Sequence, residues 1–201
     1  MKSQELIYGT EVYDESLLWK SMLAGDERAF KSLLNLTYDL LFQYGNKFTT
    51  DRELVKDMIQ DLFLEIWEKR ESINQDIPPK AYLLASLRRK LHRFYKRNKL
   101  FYIGSYDALH DQFQIEFGVE QRFIKSEEAL FNTEQISQLL NQLPARQKEA
   151  IYLKYFQDLD RDQVAEIMNI NPQSVSNLLH LAFKQIKMDW KFLLSYLIIT
   201  D

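Results

Sequence analysis

The stretch that decides the fold is Leu143–Met188, LPARQKEAIYLKYFQDLDRDQVAEIMNINPQSVSNLLHLAFKQIKM. Its apolar spacing predicts three helices separated by two tight breaks, the last two spaced as a helix-turn-helix. Pro144 suits the first turn of a helix, where its missing N–H costs nothing. Ile151, Tyr152, Tyr155 and Phe156 recur at the three-to-four spacing of a buried face. Asp160 stands where it can cap a second helix, with Val164, Ala165, Ile167 and Met168 facing inward. Asn169 falls where the chain must turn, and Asn tolerates the left-handed backbone better than most residues. Asn171 then caps a third helix with Pro172 at its first position. Val175, Leu178, Leu179, Ala182, Phe183 and Ile186 make its apolar stripe. Gln173, Ser174, Ser176, Asn177 and His180 are the polar residues near its start, with Lys184 further on. A helix of this kind can lie in the major groove with its N-terminal residues against base edges.

Five glycines and four prolines in 201 residues are few, which favours helices over a turn-rich β architecture. Alternating β-branched runs longer than a few residues are absent from the sequence. With no cysteine, disulfides and thiolate metal sites are excluded, and three scattered histidines do not form a metal site. No phosphate loop or nucleophile–base pair is present, so neither an enzymatic reading nor a cofactor is expected. Met1–Tyr13 lacks the apolar segment of a signal peptide. The longest apolar run, Phe192–Ile199, is broken by Ser195 and too short to span a bilayer, so a cytoplasmic protein without membrane insertion is expected.

The net charge of −3 argues against a general nucleic-acid coat protein, but the charge is segregated. Lys80–Lys99 holds eight Lys or Arg residues and no acid, whereas Asp51–Glu71 holds seven acids against four bases. Such a chain could present one face to nucleic acid and another to a basic protein.

Upstream, Asp26 and Asp51 are candidate caps of two helices. The first carries Phe30, Leu33, Leu34, Leu36, Leu40, Leu41 and Tyr44, the second Leu54, Val55, Met58, Ile59, Leu62, Phe63, Ile66 and Trp67. Ser72–Pro79 is a loop with two adjacent prolines. A third helix from about Lys80 has Leu83, Leu84, Leu87, Leu91 and Phe94 on one face. Phe101–Lys125 has no sustained period and reads as a linker. The expected architecture is all-α: a helical domain over 1–99, a linker over 100–125, and a second helical domain over 126–201 containing the helix-turn-helix.

Three segments together carry a family resemblance. VKDMIQDLFLEIW (Val55–Trp67) resembles the polymerase-binding helix of bacterial extracytoplasmic-function (ECF) sigma factors. PPKAYLLASLRRKLHRFYKR (Pro78–Arg97) is similar to that family's promoter-melting and −10-reading helix, and Leu143–Lys187 to its −35-reading domain. The matches lie in the family's order and span nearly the whole chain. The resemblance implies a dissociable subunit that gives core RNA polymerase its promoter specificity and contributes no catalytic group. Its sites are surfaces for the clamp coiled coil of the largest subunit, the β-flap and promoter DNA.

On that resemblance Asp57, Gln60, Asp61 and Glu65 are the polymerase-binding residues, in place of an ordinary solvated helix face. Asn74, Gln75 and Asp76 correspond to the loop that pockets an extruded base. Arg88, Arg89, Arg93, Lys96 and Arg97 are expected to meet phosphate, because like charges stacked on one helix repel unless a polyanion offsets them. Tyr82 and Tyr95 could stack on a melted strand or pack in the core; Phe94 is expected in the core. Gln173, Ser174, Ser176, Asn177, His180 and Lys184 are expected at the −35 element.

The chain also departs from the family. Arg89 stands where Asn is usual, and Arg93 where Asp or Asn is common, which exchanges base-edge hydrogen bonding for phosphate attraction. Ser176, Leu178 and Leu181 stand where Lys or Arg is common. That keeps two alternatives open: a sigma-like regulator brought to DNA by a recruiter protein, and a helix-turn-helix regulator independent of polymerase. Leu178, Leu181 and the Trp190–Ile199 tail are the surfaces expected for a recruiter, the tail otherwise packing as a last helix on its own domain. Family members are often held by an anti-sigma factor, the remaining expected partner.

Overall fold

The computed structural model describes residues 6–8, 11–97, 113–115 and 127–199, and the side chains of 14–97, 113–115 and 135–188. The chain divides into two compact units, Met1–Tyr102 and Ile103–Asp201. The architecture is all-α, as expected, preceded by a short antiparallel hairpin of β1 (Leu6–Tyr8) and β2 (Glu11–Tyr13) that no alternating pattern had signalled.

In the first unit, aspartates open the first three helices. Asp14 caps α1 (Glu15–Leu23), Asp26 caps α2 (Glu27–Gly45) and Asp51 caps α3 (Arg52–Glu68), each accepting a backbone N–H of the first turn at 2.8–3.0 Å. A cap of this kind is worth about 1 kcal/mol. Gly25, at φ +96°, makes the left-handed turn that sends α1 into α2. A 3₁₀ turn at Arg70–Ser72 and the Pro-containing loop lead into α4 (Pro79–Arg97). Trp19 and Met22, Leu33 and Leu41, Ile59 and Phe63, and Leu83, Leu84, Leu87 and Leu91 close one core between the four helices. At Gly45 a Cβ would lie 2.5 Å from Val55 Cγ1, so the missing side chain lets α2 and α3 converge.

The second unit comprises α5 (Glu127–Gln142), α6 (Ala145–Ile151), a π turn (Tyr152–Phe156), α7 (Arg161–Met168) and α8 (Pro172–Ile199). Pro144 sits at the cap of α6, one residue before the position expected. Asp160 and Gln163 form a reciprocal capping box, Asn169 takes the left-handed conformation (φ 52°, ψ 53°), and Asn171 Oδ1 accepts the Ser174 N–H at 2.7 Å. The Asp160 cap, the Asn169 turn and the Asn171 cap are the devices expected from the sequence; the Gln163 half of the box is added by the structure. Tyr155 is a correction: expected inside, it is 56% exposed. The π turn adds a residue to the helical cycle and rotates Tyr155 outward, where its ring meets Phe183 edge-on at 5.5 Å. Phe183, also expected in the buried stripe, is exposed with it.

Within the stretch read as a linker, Phe113–Ile115 belongs to the second unit and packs against its helices. Phe113 and Ile115 are buried, and Phe113 lies 5.8 Å from the Tyr152 ring. Asn141 and Ser137 of α5 hold the backbone of Ile115, and Lys148 Nζ reaches Gln114 Oε1 at 3.3 Å. Burying two such side chains contributes about 3–6 kcal/mol before ordering costs. The rest of the linker lies outside the described residues.

Candidate nucleic-acid interface

Helical phase sorts the charged residues of α3 and α4. On α3, Val55, Met58, Ile59, Leu62, Phe63 and Ile66 are buried, which turns Asp57, Gln60, Asp61 and Glu68 outward. Leu64, 59% exposed, stands one turn from both Gln60 and Glu68. Its helical phase sets it among these polar residues, although it lies inside an apolar run of sequence. Glu65 differs from the other acids. One carboxylate oxygen takes Lys90 of α4 at 2.8 Å and the other takes Lys69 at 2.9 Å. Hydrogen bonds from Lys90 and then Lys69 hold its carboxyl at about 2, well below the ordinary 4.5. Glu65 thus ties α3 to α4 while its side chain stays 36% exposed.

On α4, Tyr82, Ser86, Arg89, Arg93 and Lys96 follow one stripe, with Arg97 beside Arg93. Arg89, Arg93, Lys96 and Arg97 are exposed, and Arg89 Nη2 donates to Ser86 Oγ at 2.8 Å. Arg88 is turned the other way and is only 6% exposed. One residue along a helix is a rotation of about 100°, which carries Arg88 to the side of Leu84 and Leu91. The surface role expected of Arg88 is therefore corrected. Tyr82 is half-buried with its ring 5.4 Å from Trp19, and Tyr95 is half-buried edge-on to Phe94. Phe94, expected in the core, is half-buried in the wall of an open groove of about 470 Å³. Met58, Asp61 and Glu65 of α3 line one side of it, and Lys90, Arg93, Phe94 and Arg97 of α4 the other. The acidic and basic helices, read from sequence as separate faces, share this groove.

The loop between these helices is tethered. Asn74 Oδ1 accepts the Asp76 N–H at 3.0 Å, and the Asp76 carboxylate pairs with Lys20 of α1 at 3.1 Å; Asn74, Gln75 and Asp76 all remain exposed.

In the second unit Gln173, Asn177, His180, Leu181, Lys184 and Met188 form an exposed stripe along α8. Gln173 Nε2 donates to Asn177 Oδ1 at 3.2 Å. Ser174 and Ser176 are half-buried, and the Ser176 hydroxyl donates back to the Pro172 carbonyl at 3.3 Å. The helix continues unbroken through the tail to Ile199, a length of about 42 Å, so the tail is a continuation of α8. The Trp190–Ile199 side chains lie outside the described residues. Among the described residues no helix is long and apolar enough to cross a membrane.

Two family models match: Sigma-70 region 2 over residues 33–101 and Sigma-70 region 4 over residues 133–186. The ECF RNA polymerase sigma factor SigW of Bacillus subtilis (strain 168) is 22% identical over 166 residues, covering 80% of this chain and 88% of SigW. The chain belongs to the ECF sigma factors. Its fold is shared with CnrH, solved in complex with the cytosolic domain of CnrY, at a TM-score of 0.56 and 18% identity over 88% of this chain and 97% of that one. RpoE in complex with the anti-sigma factor NepR from Bartonella quintana gives 0.56 and 20% identity over 81% and 96%. This sigma factor serves transcription initiation. α3, α4 and α2 from residue 33 onward fall within its region 2 match, and α6–α7 with the first half of α8 within region 4.

Proposed function

We propose that this sigma factor docks on core RNA polymerase through the outward face of α3, with Asp57, Gln60 and Asp61 around Leu64, and holds promoter DNA with α4 and α8. The observation that carries the reading is the opposition of charge on two adjacent helices. Exposed carboxylates on α3 suit a basic coiled coil, and an exposed apolar residue among them suits the desolvated centre of an interface. Arg89, Arg93, Lys96 and Arg97 on α4 suit the phosphates of an opened strand, with the Asn74–Asp76 loop beside the start of the helix. α8 reads the −35 element. The chain contributes positioning and no catalytic group, and acts in the cytoplasm. CnrH and RpoE, whose fold it shares, were each solved with a partner protein. An anti-sigma factor is accordingly the regulator proposed here.

The test pairs Asp57→Lys with Asp61→Lys. Co-elution with purified core polymerase should be lost while circular dichroism still reports full helix, and run-off transcription from a genomic fragment pool should disappear. Co-elution at the original affinity would overturn the reading.

A further inference from the structure

From Pro172 to Phe183 the recognition helix carries no Lys or Arg; its first cation is Lys184. A helix so poor in positive charge draws little affinity from phosphates, so base edges must supply a larger share of its hold on DNA. The exposed residues of its first two turns are Gln173 and Asn177, four apart and therefore neighbours on the surface. Their carboxamides are joined, Gln173 Nε2 donating to Asn177 Oδ1 at 3.2 Å. That bond uses one donor and one acceptor, and leaves the Gln173 carbonyl oxygen and the Asn177 amino group for a partner. Turning both amides over exchanges the roles and again leaves one acceptor and one donor.

We infer that Gln173 and Asn177 act together as a single adenine reader in the −35 element. In the major groove adenine presents an acceptor, N7, beside a donor, N6–H, and so complements one free donor and one free acceptor. Guanine presents two acceptors there and calls for the paired donors of Arg or Lys, which these turns lack. The mutual hydrogen bond holds the two side chains before DNA arrives, so less rotamer freedom is lost on contact. Asn171 and Pro172 fix the start of the helix and hence the angle at which both amides leave it.

The inference rests on the proposed role of α8. Its test uses holoenzyme assembled from the full chain and core polymerase. Selection from duplexes randomised across the −35 element should enrich adenine at one position. Replacing that adenine by 7-deaza-adenine removes N7 and leaves pairing intact, and should weaken binding about tenfold. Asn177→Ala should cost a similar factor on adenine and make the 7-deaza replacement neutral. Asn177→Asp, which exchanges a donor for an acceptor, should move the preference from adenine toward cytosine. Holoenzyme that forms but selects no adenine, or an adenine preference that survives Asn177→Ala, would overturn this inference alone. A chain that fails to join core polymerase would overturn the proposed function and this inference with it.

Discussion

Glu65 of α3 and Lys90 of α4 form a 2.8 Å ion pair across the groove that the two helices share, and Lys69 takes the second Glu65 oxygen. The carboxyl is lowered from 4.5 to about 2, so its stabilising contribution is complete above the unfolded value and is lost as pH falls toward the folded one. A shift of that size corresponds to about 3 kcal/mol, but Glu65 is 36% exposed and solvent screening leaves about 1 kcal/mol. Glu65→Gln should therefore be less stable than wild type at pH 7. Denaturant titrations should show the gap narrowing between pH 4.5 and pH 2; a gap independent of pH would mean that the pair does not couple the helices.

Arg88 and Arg89 are neighbours in sequence with opposite fates. Replacing Arg89, Arg93 and Arg97 together by Gln should leave the melting temperature nearly unchanged. The salt dependence of open-complex formation should flatten, by roughly 0.7 in log–log slope for each strand phosphate released. Arg88→Gln should do the reverse, lowering thermal stability by about 1–3 kcal/mol with the slope intact, because its head group is buried. Measuring both slopes and both melting curves separates the two roles.

Leu64 exposes more than half its surface, so Leu64→Ala should cost under about 0.5 kcal/mol of folding stability. At the centre of a polymerase interface the same change should weaken core binding by about 1–2 kcal/mol, roughly tenfold. Titration of labelled chain with core polymerase reads the affinity. Unchanged binding would place Leu64 outside the interface.

Asn141 binds both backbone groups of Ile115, accepting its N–H and donating to its carbonyl, each at 2.9 Å. Asn141→Ala leaves the part-buried Ile115 N–H unpaired, at about 1–3 kcal/mol when fully desolvated, while the carbonyl keeps the Ser137 hydroxyl at 3.2 Å. Hydrogen exchange at the Ile115 amide should accelerate at least tenfold, and Phe113, beside Tyr152, should become accessible to quenchers. Exchange at the wild-type rate would show that the tripeptide is held by its side chains alone.

Much of this molecule was legible in one dimension. Helix starts at Asp26, Asp51 and Asp160, the turn at Asn169 and the cap at Asn171 depend on bonds spanning two to four residues, so residue identity and spacing suffice to find them. The same holds for the order of the family segments, and with it the two helical units.

What the sequence could not decide was the phase of individual side chains and the pairing of distant ones. Arg88 and Arg89 differ only by a rotation about the helix axis, and the packing of α4 against the other helices decides which is buried. Tyr155 follows the apolar period, yet a single π turn carries it to the surface beside Phe183. Glu65 looks like its acidic neighbours until α4 brings Lys90 within 2.8 Å across 25 residues of chain. Phe113–Ile115 has no period of its own, and its place is set by Ser137, Asn141 and Lys148, which lie 22 to 34 residues away. Local hydrogen bonding is encoded in neighbouring residues, whereas burial and ion pairing depend on which surfaces meet, and only the tertiary fold determines that.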